Sequence, residues 1–151
     1  KKTKAFDNMD MNDAEAKEIL FMSGLVHEVG KVFLSKEKKV EIDNLNKEDY
    51  RNYPTRGAEF LREAGDIHKK IPEVVSASEE YCDGSGFPSG LKKIQISIYS
   101  HIFNLAKAYD RKTLLEGKTP GEAMGWINEN AVKFNKNLLP LLEAYVISRK
   151  I

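Results

Sequence analysis

The first residues that could do chemistry together are a histidine, a carboxylate and an amine in one short run. In Val-His-Glu-Val-Gly-Lys, His27, Glu28 and Lys31 lie within about a turn and a half of predicted helix. Imidazole and carboxylate groups both bind divalent metals. Adjacent helix residues point roughly 100° apart, so a metal would need further ligands from other helices. From these residues alone, a structural or partly buried His27 is the simpler interpretation.

The second candidate is a glycine-rich run at residues 83–91, Asp-Gly-Ser-Gly-Phe-Pro-Ser-Gly-Leu. Glycine allows positive φ, and proline fixes φ and lacks a backbone donor, so the run cannot form a helix or a regular strand. It therefore predicts a shaped loop at the surface, between helical segments. Such a loop either connects two helices around a buried Phe87 or carries a binding surface.

Composition restricts the classes of partner and the compartment. The 24 basic and 23 acidic side chains leave a net charge of +1, so no overall field attracts nucleic acid or an anionic membrane. No apolar run reaches the length of a membrane span, and we expect no membrane insertion. The single cysteine, Cys82, excludes an internal disulfide and indicates a reducing compartment, with the cytoplasm expected. Without a histidine or a basic pair nearby in sequence, Cys82 is interpreted as an ordinary thiol.

Helical periodicity and capping signals account for most of the remaining chain. They predict an all-α single domain with helices from residue 12 to a stop or bend at Gly30, over 54–64, from about 72 to the glycine loop, over 97–109, from 119 onward, and over 138–147. Residues 1–12 are expected to be a linker or the end of an upstream element, with the helical domain over residues 13–151. Residues 35–46 are too charged for a core and are expected to form a surface loop.

In order and spacing, these motifs resemble the HD-GYP branch of the HD superfamily over about residues 13–146. The similarity rests on Leu-Val-His-Glu-Val-Gly-Lys ending at Lys31, on Gly-Ala-Glu-Phe-Leu from Gly57, and on the glycine loop. In that loop Gly-Phe-Pro stands for the family's Gly-Tyr-Pro. The resemblance implies an all-α HD-superfamily helical bundle with a glycine-rich surface loop. It also implies the family's activity, hydrolysis of cyclic di-GMP at two or three metal ions, in an output module of bacterial signalling.

The chain departs from the family pattern at most positions that would hold metal. The resemblance implies that Glu28 replaces an aspartate, Tyr53 a histidine, Ser78 and Glu79 a histidine pair, and Lys107 an aspartate; the family's first ligand would lie before Lys1. Tyrosine and serine are poor neutral ligands, and an ammonium opposes cations at the same site. A two-metal hydrolase cannot activate water or clamp the reacting oxygens without its ions. We therefore expect no catalytic residue and no metal at the vestigial positions His27, Glu28, Tyr53, Ser78, Glu79 and Lys107.

The sequence thus predicts a catalytically inactive HD-GYP-like regulatory or protein-interaction module of a bacterial signalling protein. The expected partner is a protein of the signalling pathway, with a diguanylate cyclase and self-association as alternatives. Two other functions stay open: a sensor that binds cyclic di-GMP without hydrolysis, and a residual phosphodiesterase with two or three divalent metal ions around His27, Glu28, Glu79 and Glu80. The residues predicted to form a ligand or partner surface are Lys31, Arg56, Asp83, Gly84, Ser85, Gly86, Phe87 and Pro88.

Overall fold

A computed structural model describes residues 13–34 and 50–148, and these residues form helices joined by turns and loops. The helices are α1 (Asp13–Val26), α2 (Tyr53–Ala64), α3 (Lys70–Ser76), α4 (Ile98–Asp110), α5 (Pro120–Glu129) and α6 (Leu139–Ser148). Within the described residues, the only β-type pairing is an isolated bridge between Asp83 and Lys92. The predicted all-α class is therefore confirmed. The linker expected at residues 1–12 and the loop expected at 35–46 lie outside the described residues.

Local capping signals set the ends of several helices where the sequence predicts them. The hydroxyl of Ser97 accepts a hydrogen bond from the backbone N–H of Ser100 at the start of α4. Thr119 and Glu122 form a reciprocal capping box at the start of α5. The backbone of Thr119, the residue before the helix, is extended. Gly65 ends α2 with a φ of 67°, a conformation that favours glycine.

The core consists of two hydrophobic clusters that share helix α4. The first cluster packs α1, α2 and α3 against the start of α4, where Tyr99 and Phe103 are buried. The second packs α5, α6 and the segment between them against the following turns of α4, where Leu105 and Ala108 are buried. Because α4 belongs to both clusters, its polar residues can be presented between two packed layers.

The first helix ends earlier than predicted, and this changes the position of two candidate residues. α1 ends at Val26, so His27 and Glu28 lie in the turn that follows, before a 3-10 helix at Val29–Phe33. The prediction that His27 and Glu28 are borne on a helix is therefore wrong. The reason is that Gly30 lies against α2, where any Cβ on it would collide with the carbonyl oxygen of Tyr53. The chain has to turn after Val26 to bring its backbone that close.

Two glycines near this turn provide a matched test of the close approach. Gly30→Ala is expected to lower the free energy of unfolding by about 1–3 kcal/mol or more, because the backbone of α2 must shift. Gly24→Ala, in α1 with nothing near the added methyl group, is expected to be neutral or stabilising by up to about 1 kcal/mol. Urea unfolding of both variants measures the difference. Equal unfolding midpoints would show that the contact between the 3-10 helix and α2 imposes no constraint.

Candidate functional site

A largely buried ion pair joins α4 to the turn that follows α3. Lys107 Nζ lies 2.7 Å from Glu79 Oε1. The same carboxylate oxygen accepts a hydrogen bond of 2.6 Å from the hydroxyl of Tyr53 on α2. The Lys107 ammonium also donates to the carbonyl oxygen of Ser78. Four of the six vestigial positions therefore meet around one ammonium group.

The other two vestigial positions, His27 and Glu28, lie beside this group. His27 Nδ1 is hydrogen bonded to the carbonyl oxygen of Gly24 at 2.9 Å, and its ring packs edge-on against Phe103 of α4. Burial lowers the pKa of His27, and the positive charge of Lys107 lowers it further. A hydrogen bond from Lys31 lowers the pKa of Glu28, to which the charge of Lys107 also contributes. All six vestigial positions thus lie in one region, where the charge of Lys107 acts on His27, Glu28 and Glu79.

Electrostatics keep the central carboxylate ionised. Burial alone would raise the pKa of Glu79, but the charge of Lys107 and the hydrogen bonds from Lys107 and Tyr53 outweigh it, so the pKa is lowered. Burial next to this anion raises the pKa of Tyr53, so its phenol stays neutral. Burial lowers the pKa of Lys107, and the Glu79 charge opposes that change. The centre therefore consists of the Glu79 carboxylate, the Lys107 ammonium that neutralises its charge, and the neutral Tyr53 hydroxyl that donates a hydrogen bond to it.

This donor set does not fit a cluster of divalent metal ions. In the described part of the chain, no three histidine, cysteine, aspartate or glutamate side chains converge as metal ligands. The Tyr53 hydroxyl directs its proton at Glu79, and the Lys107 ammonium places a positive charge beside the same carboxylate, which opposes binding of a cation there. The Glu79 carboxylate at this centre is therefore paired with protein groups, the Lys107 ammonium and the Tyr53 hydroxyl.

The second acidic residue of the same turn, Glu80, holds the glycine loop. It is 1% exposed, and its two carboxylate oxygens accept hydrogen bonds from the backbone N–H groups of Ser89 (2.7 Å) and Leu91 (2.8 Å). Sequence reasoning grouped Glu80 with His27, Glu28 and Glu79 as a carboxylate-rich site. In the structure both oxygens of Glu80 are instead bound to the loop.

The loop itself has a defined shape. Asp83 Oδ1 accepts hydrogen bonds from the backbone N–H and the hydroxyl of Ser85, at 3.0 and 2.7 Å. Gly84 has a φ of 81°, and a Cβ on Gly86 would collide with the carbonyl oxygen of Glu79. The half-buried Phe87 ring contacts the Tyr50 and Tyr53 rings, and the Phe87–Pro88 peptide is cis. The predicted loop residues 83–88 therefore form one unit that is packed against the centre through Phe87.

The two predicted basic contacts are in different surroundings. Lys31 pairs with Glu28, and its Nζ lies 5.2 Å from the centroid of the Tyr53 ring, so it borders the centre. Arg56 donates a hydrogen bond of 3.2 Å to the carbonyl oxygen of Phe33. It lines a groove with Phe33, Glu59, Phe60 and Glu63, none of which belongs to the predicted sites. The grouping of Arg56 with the loop stays a prediction.

Sequence reasoning missed two polar contacts of α4. Asn104 Nδ2 donates to the carbonyl oxygens of Ala77 (2.9 Å) and Glu80 (2.8 Å), which fixes the turn that carries the acidic pair. An asparagine beside the apolar stripe of α4, one helical turn before a lysine, is the signal that could have indicated it. His101 Nδ1 lies 3.5 Å from the sulfur of Cys82. Cys82 therefore has a histidine neighbour in the folded chain, although none lies close to it in sequence.

Comparisons with known proteins agree with this architecture. The family model described as HD domain matches residues 4–138. The chain is 25% identical over 144 residues to the cyclic di-GMP phosphodiesterase PdeB of Borreliella burgdorferi, covering 90% of this chain and 38% of that protein. It is 26% identical over 95 residues to a cyclic di-GMP phosphodiesterase of Pseudomonas aeruginosa, covering 61% and 23%. The chain thus spans well under half the length of these relatives.

One solved structure shows the same fold. It is the crystal structure of V-cGAP3, a cyclic GMP-AMP specific phosphodiesterase of V. cholerae, with a TM-score of 0.69 and 21% sequence identity. The alignment covers 93% of this chain and 40% of that one. At this identity, the likeness concerns the fold alone.

Removal of one partner of the buried ion pair is expected to cost more than removal of both. Glu79→Gln leaves the Lys107 ammonium buried without a counter-charge and is expected to lower the free energy of unfolding by about 3–5 kcal/mol. Adding Lys107→Met removes the unpaired charge and is expected to restore most of that loss. Urea unfolding of the wild type, both single variants and the double variant measures the coupling. Additive effects would contradict the pairing.

The same proteins give a second readout, the dependence of stability on pH. The folded pKa of Glu79 lies below its ordinary value of 4.5, so the unfolded chain binds the additional proton. Stability from Glu79 is therefore present above that value and is lost as the pH falls through the folded pKa. Glu79→Gln should lose less stability than the wild type in that acid range. An identical acid slope in the variant would contradict this assignment.

Proposed function

The chain belongs to the HD domain family and is of the HD-GYP type, and from this premise we propose that it is a catalytically inactive member. We infer that it acts as a regulatory or protein-interaction module of a bacterial signalling protein. The observation that carries the proposal is the ion pair between Glu79 and Lys107. An internal ammonium stands at the centre where relatives of this type would need metal cations.

The chemistry of the centre supports loss of hydrolysis. Metal-assisted hydrolysis needs ions that activate a water molecule and stabilise the attacking and leaving oxygens. Here Glu79 accepts from two donors and has a lowered pKa, which makes it a weak base for deprotonating water. Tyr53 is neutral and has its proton directed at Glu79. None of these groups can activate water and stabilise the reacting oxygens as metal ions do.

The parts of the domain that are retained support a role in association. Glu80 holds the glycine loop in one shape, and Ser85, Ser89 and Lys92 are exposed on it. Next to the loop, the Ile94 side chain is 95% exposed. A loop that is already held in one shape loses little conformational entropy on binding, which favours its use as a contact surface for a protein.

The purified protein is expected to contain no stoichiometric transition metal and to hydrolyse neither cyclic di-GMP nor cyclic GMP-AMP. Elemental analysis and a turnover assay, with His27→Ala as the matched control, are expected to give the same blank result for both proteins. A stoichiometric metal that is lost in His27→Ala would overturn the proposal. Saturable heat on calorimetric titration with cyclic di-GMP, without turnover, would instead identify a sensor.

Substitutions on the exposed side of the loop are expected to weaken association without affecting folding. Ile94→Ser and Lys92→Glu should change the free energy of unfolding by no more than about 0.5 kcal/mol, because both side chains are exposed. Sedimentation of the chain and binding to a purified diguanylate cyclase measure the two alternative partners. Ile147→Ser, on the exposed side of α6, is the matched control. If Ile94→Ser and Lys92→Glu leave every association intact, the loop is a scaffold only.

A further inference from the structure

Helix α4 and the chain around α6 form the walls of an open groove on the surface of the second core cluster. The groove has a volume of about 220 Å³. Its lining consists of Ile102, Leu105, Ala106, Leu138, Leu141 and Leu142. All six side chains are aliphatic, so they offer no hydrogen bond or charge that could orient a nucleotide or hold a metal ion. The groove therefore suits an apolar occupant.

Helix α6 is apolar on nearly every side but is packed against the core on one side. Glu143 is the only charged residue among its ten, and Val146 is the only one of them that is buried. Tyr145 is 50% exposed and Ile147 is 61% exposed. A helix without a continuous polar face is typical of one that is covered on several sides. The composition of α6 therefore indicates a second covering surface.

Both walls of the groove carry apolar residues at the same helical spacing of i, i+3, i+4 and i+7. The stripe on α4 is Ile102, Leu105, Ala106 and Tyr109, and the stripe that runs into α6 is Leu138, Leu141, Leu142 and Tyr145. Residues at this spacing form one face of a helix, which is the face that a helix lays into an apolar groove. The groove between the two stripes is therefore suited to a third helix.

Charge disfavours a membrane surface as the cover of this face. Helices that lie on a membrane carry lysine and arginine on their polar side. The ten residues of α6 contain neither, and their single charge is the carboxylate of Glu143. The stripe itself carries no charge, so two copies of it can meet without bringing like charges together. An apolar helix with the same spacing is therefore the best-matched cover, and α6 itself has that spacing.

We propose that the occupant of the groove is α6 of a second copy of this chain. The two α6 helices pack antiparallel, and each fills the groove of the other copy. With the two-fold axis between Leu141 and Leu142, Leu141 of each copy meets Leu142 of the other, and Tyr145 meets Leu138. The stripe is thus its own complement, as a closed two-fold dimer requires. Helices α4 and α6 of both copies then form a four-helix interface.

The dimer rests on the association role in the proposed function and names a second copy as one partner. It does not depend on the loss of hydrolysis, because none of the six vestigial positions lies on α6. A stoichiometric metal or turnover would contradict the proposed inactivity and leave the dimer unaffected. The glycine loop lies outside the groove lining and stays available to a different protein.

Sedimentation velocity of the purified chain over a series of concentrations measures the dimer directly. A contact between short helices is at the low end of interface size, so we expect a reversible dimer that dissociates on dilution through the micromolar range. Ala106→Glu introduces a carboxylate into the groove from an exposed position and is expected to raise the dissociation constant about tenfold or more. Ile147→Ser, in α6 but outside the groove lining, is the matched control and should dimerise as the wild type does.

Charge complementation tests the antiparallel pairing. Leu141→Glu and Leu142→Lys each set a charge against a leucine of the other copy, so each variant alone is expected to be monomeric. In an equal mixture they are expected to form a heterodimer, because the introduced carboxylate then meets the introduced ammonium. Leu141→Glu mixed with Ile147→Lys is the control and should form no such heterodimer. Thermal unfolding verifies that every variant is folded.

Four results would overturn the inference. A wild type that stays monomeric at about 1 mM would exclude self-association. Wild-type affinity in Ala106→Glu would exclude the groove as the interface. A mixture of Leu141→Glu and Leu142→Lys that stays monomeric would exclude the antiparallel arrangement. A monomeric wild type that binds a diguanylate cyclase, with binding lost in Ala106→Glu, would assign the groove to a different protein.

Discussion

The requirement that a buried carboxylate be neutralised determines how this domain is assembled. Glu79 receives Lys107 from α4 and the Tyr53 hydroxyl from α2, so the turn after α3 is fixed against both helices. Asn104, one turn before Lys107 on α4, binds two carbonyl oxygens of the same turn. Such a pair adds little net stability, but a missing partner is heavily penalised. The pair therefore specifies the arrangement of these elements more than it strengthens it.

Two adjacent glutamates of this turn bind different parts of the domain. Glu79 faces the ammonium, whereas Glu80 binds two backbone N–H groups of the glycine loop. The loop also contacts the centre through Phe87, whose ring packs against the ring of Tyr53. The centre and the surface loop are thus parts of one polar framework. Retention of the loop's shape is consistent with this framework even where the catalytic chemistry of the family is proposed to be lost.

The sequence was sufficient for features with local causes. Helix starts at Ser97 and Thr119 follow from capping residues a few positions apart, and the family resemblance identified the positions that meet around Lys107. The turn at His27 was not predictable, because it depends on the contact of Gly30 with Tyr53, 23 residues further along by their numbering. Loss of activity and absence of metal remain predictions, since they concern chemistry that the fold alone does not test.

The ion pair also constrains how this sequence can change over evolutionary time. A carboxylate in place of the Lys107 ammonium would set two anions against each other beside the Ser78 carbonyl. Loss of the carboxylate at position 79 would leave the Lys107 ammonium without its counter-charge. Either intermediate carries an uncompensated buried charge, and a domain has only about 5–15 kcal/mol of stability in total. A substitution at either position is therefore expected to persist only with a compensating change at the other, so positions 79 and 107 are expected to change together.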